Sequence, residues 1–537
     1  MNKSKEKIIL SRVNDDGTFT NPFIWSDIPD PDVIRVGDTY YMTSTTMYFT
    51  PGCPVMKSKD LVNWEIINYV YDTLCDNDHM TLQNGKHDYG RGSWASCLRF
   101  HNGKYYVTFS AANTGKTFIF TSDDIEKGDW KRHSLDGVYH DMSVLFDDDG
   151  RVYMVHGAGA IKVTELTSGA TAVKKDGMNK TIIENADISG GKNLAEGSHI
   201  YKINGKYYIF NIVWPKTGTG RRIQVCYRAD KIDGEYEGKI VLDDDLGFQN
   251  AGVAQGGIVD TPEGKWYALL FQDHGAVGRI PVLVPVRWEN DFPVFGENGK
   301  AQITLPLPRK ISQGDTAEKI EAEKKIDVGS IIKSDDFENE TLALAWQWNH
   351  NPDNSRWSLT ERQSWLRLKT GSISKCLSDA RNTLTQRTFG SRCSGSILID
   401  ASNLKNGDYA GLAALQDYYA FIGVKMIDDK KFVVMKEAPQ TSDQWNYKTG
   451  VPENEIEAVP LNQNTAYLKV TFDFTDTVDE ADFFYSTDGS QWTKIGKKLK
   501  MSYRLSHFTG YRFALFNFST KNTGGYADFD WFKAKKL

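Results

Sequence analysis

One pattern recurs five times in the first 270 residues: a turn glycine followed directly by a short, alternating strand rich in aromatic residues. The copies read "VGDTYYM", "NGKYYV", "DGRVYM", "NGKYYI" and "EGKWYA", with their glycines at Gly37, Gly103, Gly150, Gly205 and Gly264. A turn glycine before such a strand predicts a β-hairpin. The spacings of 66, 47, 55 and 59 residues are too long for one hairpin and suit a small antiparallel sheet repeated as a unit. Sheets repeated in this way are typical of propeller blades, so the pattern predicts a five-bladed β-propeller.

The repeat also brings one position of each unit into phase. Counting back nine residues from the turn glycine reaches Trp94, Asp141, Glu196 and Gln255 in the last four units, and counting back seven reaches Asp30 in the first. If these residues begin the innermost strands, five large or polar side chains converge on the propeller axis. Surface carboxylates placed at random would not fall in phase like this. The repeat therefore predicts a polar site on the axis.

The character of the sequence changes after residue 306. The segment "PLPRKISQGDTAEKIEAEKKIDVGS" is charged and lacks strand alternation, which predicts a linker over residues 307–333. Short alternating strands with Gly, Asp and Asn turns then return, which is typical of a β-sandwich. We therefore predict an all-β protein with a propeller domain over residues 19–306, the linker, and a jelly-roll, concanavalin-like β-sandwich over residues 334–537.

Composition narrows the classes of partner and compartment. The net charge of −6 argues against nucleic acid, which needs a concentrated basic face. No apolar run approaches the roughly 20 residues that span a bilayer, so we expect no membrane partner. The segment "MNKSKEKIILSRVNDDG" is basic but has only a short apolar patch, so it is not a secretory signal. With six scattered cysteines interpreted as reduced thiols, we predict a cytoplasmic protein, or a secreted or periplasmic one whose signal has been removed. The oligomeric state is left open.

Three of the phased residues are carboxylic acids, and their chemistry indicates an enzyme. Hydrolysis of a glycosidic bond needs one acid that protonates the leaving oxygen and a second carboxylate that activates water or attacks the sugar. The pKa values of these two groups must be driven apart, and a third carboxylate raises the pKa of the acid by repulsion. Glu196 has the longer reach that suits the proton donor. Asp30, held between Pro29 and Pro31, has the fixed position that suits a base, and Asp141 is the third carboxylate.

Segments of the first half also resemble a known enzyme family. They are "DIPDPDVIRVGDTYYMTSTT", "GSWASCLRFHNGKYYV", "HDMSVLFDDDGRVY", "AEGSHIYKINGKYYIF" and "VGRIPVLVPVRWENDFP". In this order they resemble glycoside hydrolase family 43, over residues 19–300. The resemblance implies a five-bladed propeller that acts as a β-xylosidase, an α-L-arabinofuranosidase or an arabinanase. The following sandwich is similar to the C-terminal domain of the xylosidase-type members.

The resemblance assigns catalytic roles residue by residue. The family's aspartate base lies in a Pro-Asp-Pro context, which matches Asp30. Its general acid lies in a Glu-Gly-(Pro/Ser)-His motif, which matches Glu196. Its third carboxylate precedes an "SLF-x-D-D-G"-like strand and tunes the acid, which matches Asp141.

The resemblance also implies a wall around the sugar. The family's Gly-x-Trp-Ala-Pro segment matches at Trp94, although Ser96 replaces the proline. An arginine after a glycine of the last blade contacts sugar hydroxyls in the family, and Arg279 fits, with a structural ion pair as the alternative. Met47 is a further candidate for the wall, with core packing as its alternative. Phe508 resembles an aromatic residue that closes the leaving-group side in xylosidase-type relatives, and a site closed in this way predicts exo action.

Other polar residues near these motifs receive plainer interpretations. Asp27 and Asp32 are predicted to be turn and strand-edge residues, and His199 either orients the acid or fills a buried polar position. Many members of the family carry a fifth-blade histidine associated with a hydrated calcium ion, whereas Gln255 stands at that position here. We keep Gln255 as a candidate substrate contact. No cofactor is expected to be required, and the glutamine puts a structural calcium ion in doubt, so no metal is assigned.

The leading prediction is an inverting exo-glycosidase that releases xylose or arabinofuranose from xylo-oligosaccharides or arabinoxylan fragments, with a hemicellulose oligosaccharide as its partner. Two alternatives stay open. One is an arabinan-specific hydrolase, and the other is a non-catalytic carbohydrate-binding propeller, which would tolerate loss of an axial carboxylate. A retaining fructan-type hydrolase is disfavoured because its Arg-Asp-Pro segment and its Glu-Cys acid motif do not occur in the sequence.

Overall fold

The computed structural model describes residues 10–189, 194–215, 218–308, 331–440, 443, 445 and 447–537. Over these residues the regular structure is 39 β-strands and four short 3₁₀ turns, without an α-helix, so the all-β prediction is confirmed. The turns are Ala112–Thr114, Gly275–Val277, Leu377–Asp379 and Thr475–Thr477. Most of the predicted linker, residues 309–330, lies outside the described residues. Within the described ranges, no helix has the length and apolar character needed to cross a membrane.

Twenty-four of the strands precede residue 307. In chain order they are β1 (Ser11–Val13), β2 (Thr18–Ile24), β3 (Asp32–Val36), β4 (Thr39–Thr43), β5 (Phe49–Thr50), β6 (Gly52–Ser58), β7 (Glu65–Tyr71), β8 (Ser96–His101), β9 (Lys104–Ala111), β10 (Lys116–Ser122), β11 (Lys131–Asp136), β12 (Ser143–Phe146), β13 (Val152–His156), β14 (Ile161–Leu166), β15 (Asn179–Ile183), β16 (Ala195–Ile203), β17 (Lys206–Val213), β18 (Ile223–Ala229), β19 (Glu237–Leu242), β20 (Ala254–Asp260), β21 (Trp266–Asp273), β22 (Arg279–Glu289), β23 (Phe292–Phe295) and β24 (Thr304–Pro306).

Most of these strands form five four-stranded antiparallel sheets, which follow the chain as β3-β4-β6-β7, β8 to β11, β12 to β15, β16 to β19 and β20 to β23. The five repeat glycines lie between the first and second strands of these sheets. Their φ angles are all positive, between 64° and 81°, a region in which a Cβ is strained and glycine is not. The hairpins predicted from the repeat are therefore present in the structure.

The first strands of the five sheets are neighbours in space. β3 lies beside β8 and β20, β12 lies beside β8 and β16, and β16 lies beside β20. The hydrophobic cores follow the same order, since each joins apolar residues of successive sheets. Representative pairs are Val70 with Val107, Ile119 with Val144, Val155 with Ile209, Phe210 with Leu270, and Leu269 with Val33. Burial of apolar area at about 25 cal/mol per Å² thus holds each sheet against its neighbours.

Fifteen strands follow residue 331. They are β25 (Gln347–Asn349), β26 (Trp357–Ser358), β27 (Leu366–Lys369), β28 (Leu384–Arg387), β29 (Arg392–Asp400), β30 (Asp408–Leu415), β31 (Ala420–Ile427), β32 (Lys430–Glu437), β33 (Asn454–Pro460), β34 (Thr465–Asp473), β35 (Glu480–Ser486), β36 (Thr493–Lys494), β37 (Leu499–Lys500), β38 (Arg512–Ser519) and β39 (Tyr526–Lys536).

These strands form two facing sheets, as expected for a β-sandwich. One sheet has the order β33-β32-β31-β30-β38-β28-β25-β5, and the other β26-β27-β39-β29-β34-β35-β36, with β37 paired to β35. Burial alternates along β34, where every second residue is buried in the core, because successive side chains of a strand point to opposite faces. The edge strand β5 comes from the amino-terminal half and pairs with β25. One sheet of the sandwich therefore includes a strand, β5, that lies outside the predicted range 334–537.

Asp27 joins the two halves of the chain. Its Oδ1 accepts a hydrogen bond from the backbone N–H of Arg279 at 2.8 Å, and its Oδ2 accepts one from the backbone N–H of Gly510 at 3.0 Å. Its own carbonyl accepts from Arg387 Nε at 2.9 Å. The residue is 4% exposed, so these bonds form away from water. Asp27 is therefore a buried residue that links the amino-terminal sheets to the sandwich. The sequence predicted only a turn residue at this position.

Replacement of Asp27 by asparagine tests this junction. The side-chain amide of the variant would present an N–H₂ group, in place of a carboxylate oxygen, to a backbone donor, so one buried donor would lose its acceptor. We expect Asp27→Asn to lower the free energy of unfolding by about 1–3 kcal/mol, measured by urea denaturation. Asp136→Asn, at a fully exposed side chain, is the matched control and is expected to unfold like the wild type. Equal stability of both variants would contradict the role of Asp27.

Candidate active site

The five phased residues lie at one level of their sheets. Asp30, Trp94 and Asp141 each lie two residues before the first strand of their sheet. Glu196 and Gln255 are the second residues of β16 and β20. The first strands are neighbours, so the structure brings these side chains to the same end of five adjoining strands, as the repeat predicted.

The backbone is strained at three of these positions. Asp30, Asp141 and Gln255 have φ angles of 49°, 42° and 62°, in the left-handed region that residues with a Cβ seldom adopt. Strained backbone of this kind clusters at functional sites, where the surrounding structure holds it. β16 and β20 also carry register shifts at their phased residues, and such bulges re-aim side chains. Strain or a bulge therefore shapes the backbone at four of these five positions, all except Trp94.

Asp30 is buried and held by two donors. Its Oδ1 accepts from Arg279 Nη1 at 2.7 Å, and its Oδ2 accepts from Thr45 Oγ1 at 2.6 Å. Burial lowers the pKa of Arg279, but Asp30 together with Tyr503, Asp27 and Asp273 outweighs it, so the pKa is raised and the guanidinium stays charged. Asp30 is thus a carboxylate fixed in one orientation beside a permanent cation. Arg279 thus forms an ion pair with Asp30 inside the site, and its contact with sugar hydroxyls stays a prediction.

Asp141 and Glu196 face a histidine that the sequence analysis did not select. His140 Nε2 lies 2.7 Å from Glu196 Oε2 and 3.7 Å from Asp141 Oδ2. Burial raises the pKa of Asp141 to about 7, with repulsion from Glu196 and Asp30 adding to it and His140 opposing it. Burial lowers the pKa of His140, but Asp141 and Glu196 outweigh this effect and raise it to about 9. The sequence offered one clue to His140, because this residue directly precedes Asp141, one of the phased carboxylates.

An apolar wall lies beside the carboxylates. Met47, Trp94 and Phe508 belong to one hydrophobic cluster. The ring of Trp94 packs edge-on against His140, with centroids 5.6 Å apart. The guanidinium of Arg279 lies 4.8 Å from the centre of the Phe508 ring, and its Nη2 donates to the Phe508 carbonyl at 3.2 Å. The sandwich therefore supplies part of the wall through Phe508, and the structure brings all three predicted wall residues together.

Gln255 packs against Gly197, the residue that follows Glu196. Its backbone N–H donates to Gln224 Oε1 at 2.7 Å, and its side chain lies against Gly197. A Cβ at Gly197 would come within 2.8 Å of the Gln255 side chain, and Gly197 has a φ of 66°. Glycine is therefore the residue that fits next to Glu196.

A network of buried charged and polar side chains begins at Asp32, two residues after Asp30, and runs across the first strands of the sheets. Asp32 is fully buried and accepts from Arg99 Nη1 at 2.7 Å and from the Leu98 N–H at 2.8 Å. Its other oxygen lies 3.2 Å from His199 Nδ1, and Arg99 also donates to Ser143 Oγ at 2.6 Å. Burial alone would raise the pKa of Asp32, but Arg99 and His199 outweigh it and lower the pKa to about 2. Asp32 is thus an ionic centre that joins strands, and His199 fills a buried polar position beside it.

The residues at this end of the strands do not fit calcium. Calcium takes six to eight oxygen ligands, whereas the Asp32 oxygens already face Arg99, His199 and a backbone N–H. The positively charged guanidinium of Arg99 would also repel a calcium ion beside Asp32. Among the described residues, His140, Asp141 and Glu196 bring three ligand-type atoms within 4.8 Å of one another. His140 already binds Glu196, so we assign no metal there either.

Comparison with known proteins gives two family matches along the chain. The model described as "Glycosyl hydrolases family 43" matches residues 19–293. The model described as "Beta xylosidase C-terminal Concanavalin A-like domain" matches residues 334–535. Both matches fall on the regions that the sequence analysis had compared with this family.

Individual relatives agree with these matches. A "Putative beta-xylosidase" of Xylanibacter ruminicola is 31% identical, over 91% of this chain and 84% of its own length. A "Non-reducing end alpha-L-arabinofuranosidase BoGH43B" of Bacteroides ovatus is 29% identical, over 74% of each chain. The solved structure "Bifunctional GH43-CE Bacteroides eggerthii" has a TM-score of 0.87 and 48% identity, covering 96% of this chain and 64% of that one. This chain therefore spans less than two thirds of the last of these relatives.

Chelation tests the absence of a stabilising metal. We expect EDTA treatment followed by desalting, and later addition of calcium, to leave the midpoint of thermal unfolding unchanged, because Arg99 already provides the positive charge that neutralises Asp32. Arg99→Met is the positive control. It leaves a buried carboxylate without its cation and is expected to cost about 3–5 kcal/mol. A midpoint that falls with EDTA and recovers with calcium would contradict this assignment.

The raised pKa of Asp141 predicts how stability depends on pH. The stability that this group contributes is fully present below its ordinary pKa of 3.8 and is lost as the pH rises through about 7. The asparagine in Asp141→Asn cannot ionise, so the variant does not lose this stability as the pH rises. The thermal midpoint of the variant minus that of the wild type should therefore be larger at pH 8 than at pH 5. Scanning fluorimetry at both pH values measures the difference, with Asp136→Asn as control. A difference that is the same at both pH values would show that Asp141 does not titrate in this range.

Proposed function

This chain belongs to glycoside hydrolase family 43, and from that premise we propose that it is an inverting, exo-acting glycosidase. Its substrates are xylo-oligosaccharides or arabinoxylan fragments, from which it releases xylose or arabinofuranose. The observation that carries the proposal is the convergence of Asp30, Asp141 and Glu196, each from a different sheet, on one site beside Arg279. Hydrolysis of a glycosidic bond with inversion needs two carboxylic acids in different environments, one as general acid and one as general base.

Asp30 is the general base in this proposal. Its contacts with Arg279 and Thr45 fix the carboxylate, which suits a group that must remove a proton from one water in one direction. The guanidinium keeps its charge throughout catalysis. The water that Asp30 activates attacks the anomeric carbon from the face opposite the leaving group, which inverts the configuration.

Glu196 is the general acid, and Asp141 tunes it. Glu196 is less buried than Asp30, with its side chain 18% exposed, so it can meet the leaving-group oxygen near the mouth of the site. Asp141 has a raised pKa and therefore holds a proton near neutral pH. A protonated neighbour keeps the local charge low while Glu196 donates its proton and becomes a carboxylate.

The fold suits removal of terminal sugars. We assign residues 19–306 to a five-bladed propeller, in which the five sheets are the blades and the first strands surround the axis, and residues 334–537 to the sandwich. The sandwich inserts Phe508 against Arg279, on the side where the rest of the sugar chain would leave. A site walled by Phe508, Met47 and Trp94 favours a chain end over an internal linkage, and Gln255 and Arg279 supply polar contacts at its base.

Removal of the acid gives the direct test. We expect Glu196→Ala to reduce hydrolysis of xylobiose by about 10²–10⁴-fold, measured as steady-state kcat/KM. The loss should be smaller with 4-nitrophenyl β-D-xylopyranoside or α-L-arabinofuranoside, because a nitrophenolate leaves without full protonation. Glu237→Ala, at an exposed side chain, is the control and should keep wild-type activity.

The two aryl glycosides and the stereochemistry of the product complete the test. The ratio of wild-type rates on the two aryl glycosides identifies the preferred sugar. Proton NMR of early product should show α-xylose from the β-xyloside, and early β-xylose would exclude the inverting mechanism. If the folded wild type hydrolyses neither aryl glycoside, the exo-glycosidase proposal fails, and release of arabino-oligosaccharides from arabinan separates an arabinan hydrolase from a binding protein.

A further inference from the structure

His140 contacts both carboxyl groups on the acid side of the site. Its Nε2 lies 2.7 Å from Glu196 Oε2 and 3.7 Å from Asp141 Oδ2. Trp94 packs edge-on against the ring at an interplanar angle of 82°. The His140 carbonyl accepts from the Gly157 N–H at 3.0 Å. Backbone and ring are thus both held, which leaves the imidazole nitrogen aimed at one oxygen of Glu196.

We propose that His140 is a positioning residue that shares one proton with Glu196 and leaves the other carboxyl oxygen, Oε1, to face the glycosidic oxygen. The inference rests on the proposed role of Glu196 as the general acid. A carboxyl group can rotate about its last bond, and a donor bound to Oε2 fixes which oxygen meets the substrate. Such orientation of a reacting group is a major source of catalytic rate.

One proton serves this pair in each turnover. At rest the pair carries this proton as an imidazolium and a carboxylate, in keeping with the raised pKa of His140. In the reactive state the proton lies on Glu196 Oε1, having passed there from Nδ1 through water, which the 32% exposure of the His140 side chain allows. The imidazole, now neutral, still donates its Nε2–H to Oε2. When the glycosidic bond breaks, the proton moves to the leaving oxygen, water adds to the anomeric carbon, and Asp30 takes the proton lost by that water. Glu196 is then a carboxylate, and its hydrogen bond from His140 becomes charge-assisted and roughly twice as strong. The contact thus stabilises the transition state more than the ground state.

The surroundings of His140 favour retention of this proton. The charged groups that face the imidazole are Asp141 and Glu196, and Asp30 lies close enough to repel Asp141. All three are anions when ionised. Burial lowers the pKa of His140, but Asp141 and Glu196 outweigh it and raise the pKa to about 9. The imidazole therefore keeps its proton to a higher pH than an ordinary histidine would.

The first test compares the pH dependence of kcat in two variants of His140. Glutamine at this position can donate to Glu196 from its side-chain amide but holds no titrating proton. We expect His140→Gln to keep kcat within about tenfold of wild type at pH 5 and to lower the basic limb by on the order of one pH unit. His140→Ala also lacks the donor, so its kcat should fall by about 10²-fold with little change in KM. His133→Gln, on the outer strand β11, is the matched control.

Three outcomes of the kinetics are distinguishable. A basic limb that stays in place in His140→Gln would show that no proton is shared. A limb that moves to higher pH would show that His140 acts only as a positive charge beside the acid. Equal activity of His140→Ala and wild type would remove the positioning role. Each of these results overturns the proposal.

A second measurement does not depend on activity. Proton–carbon NMR of protein labelled at the histidine Cε1 gives the titration of each imidazole, and the His140 signal is the one missing from His140→Gln. We expect its pKa to lie above the ordinary histidine range and to fall by on the order of one unit in Glu196→Gln. A His140 signal that titrates normally, or that ignores Glu196→Gln, would overturn the shared proton. This titration tests the shared proton whether or not the enzyme is active. A wild type that cleaves neither aryl glycoside would refute the proposed function, but not the contact between His140 and Glu196.

Discussion

The ion pair between Asp32 and Arg99 is the interaction on which the site depends. It joins the first strands of two sheets, and the further bonds to Ser143 and His199 extend it to the first strands of two more. A buried pair of this kind is costly to break, because the remaining charge stays uncompensated. Asp30 lies only two residues before Asp32 in the chain. Locking these strands together below the site therefore fixes the positions from which the carboxylates project.

The two halves of the chain are coupled through the proposed base. Arg279 donates to Asp30 and also to the Phe508 carbonyl, while Asp27 binds the backbone N–H groups of both Arg279 and Gly510. A shift of the sandwich loop that carries Phe508 and Gly510 would therefore move the guanidinium that orients Asp30. The sandwich therefore contributes to the geometry of the site although it carries no proposed catalytic carboxylate.

The sequence predicted those features that depend on local pattern. Turn glycines and alternating strands specify hairpins, so counting from a glycine located Asp30, Trp94, Asp141, Glu196 and Gln255 at one level of the sheets. It failed where contacts are made between distant segments. Asp32 was predicted to be a strand-edge residue because nothing near it in sequence indicates Arg99, and the pairing of β5 with β25 joins residues about 300 positions apart. His140 was overlooked because its position directly before Asp141 does not reveal that the fold places its ring against Glu196.

The charges in the site are divided in a way that suits an acid and a base working together. The proposed base Asp30 is paired with Arg279, whose guanidinium does not lose its proton at any pH at which proteins fold. The proposed acid Glu196 is paired with His140, a side chain that can gain and lose a proton and whose pKa is raised here to about 9. A permanent cation beside the base holds one protonation state, whereas a titrating partner beside the acid lets a proton leave and return. Exchanging the two partners would hold a permanent positive charge against the group that must carry a proton, so the placement of Arg279 and His140 is part of the proposed mechanism.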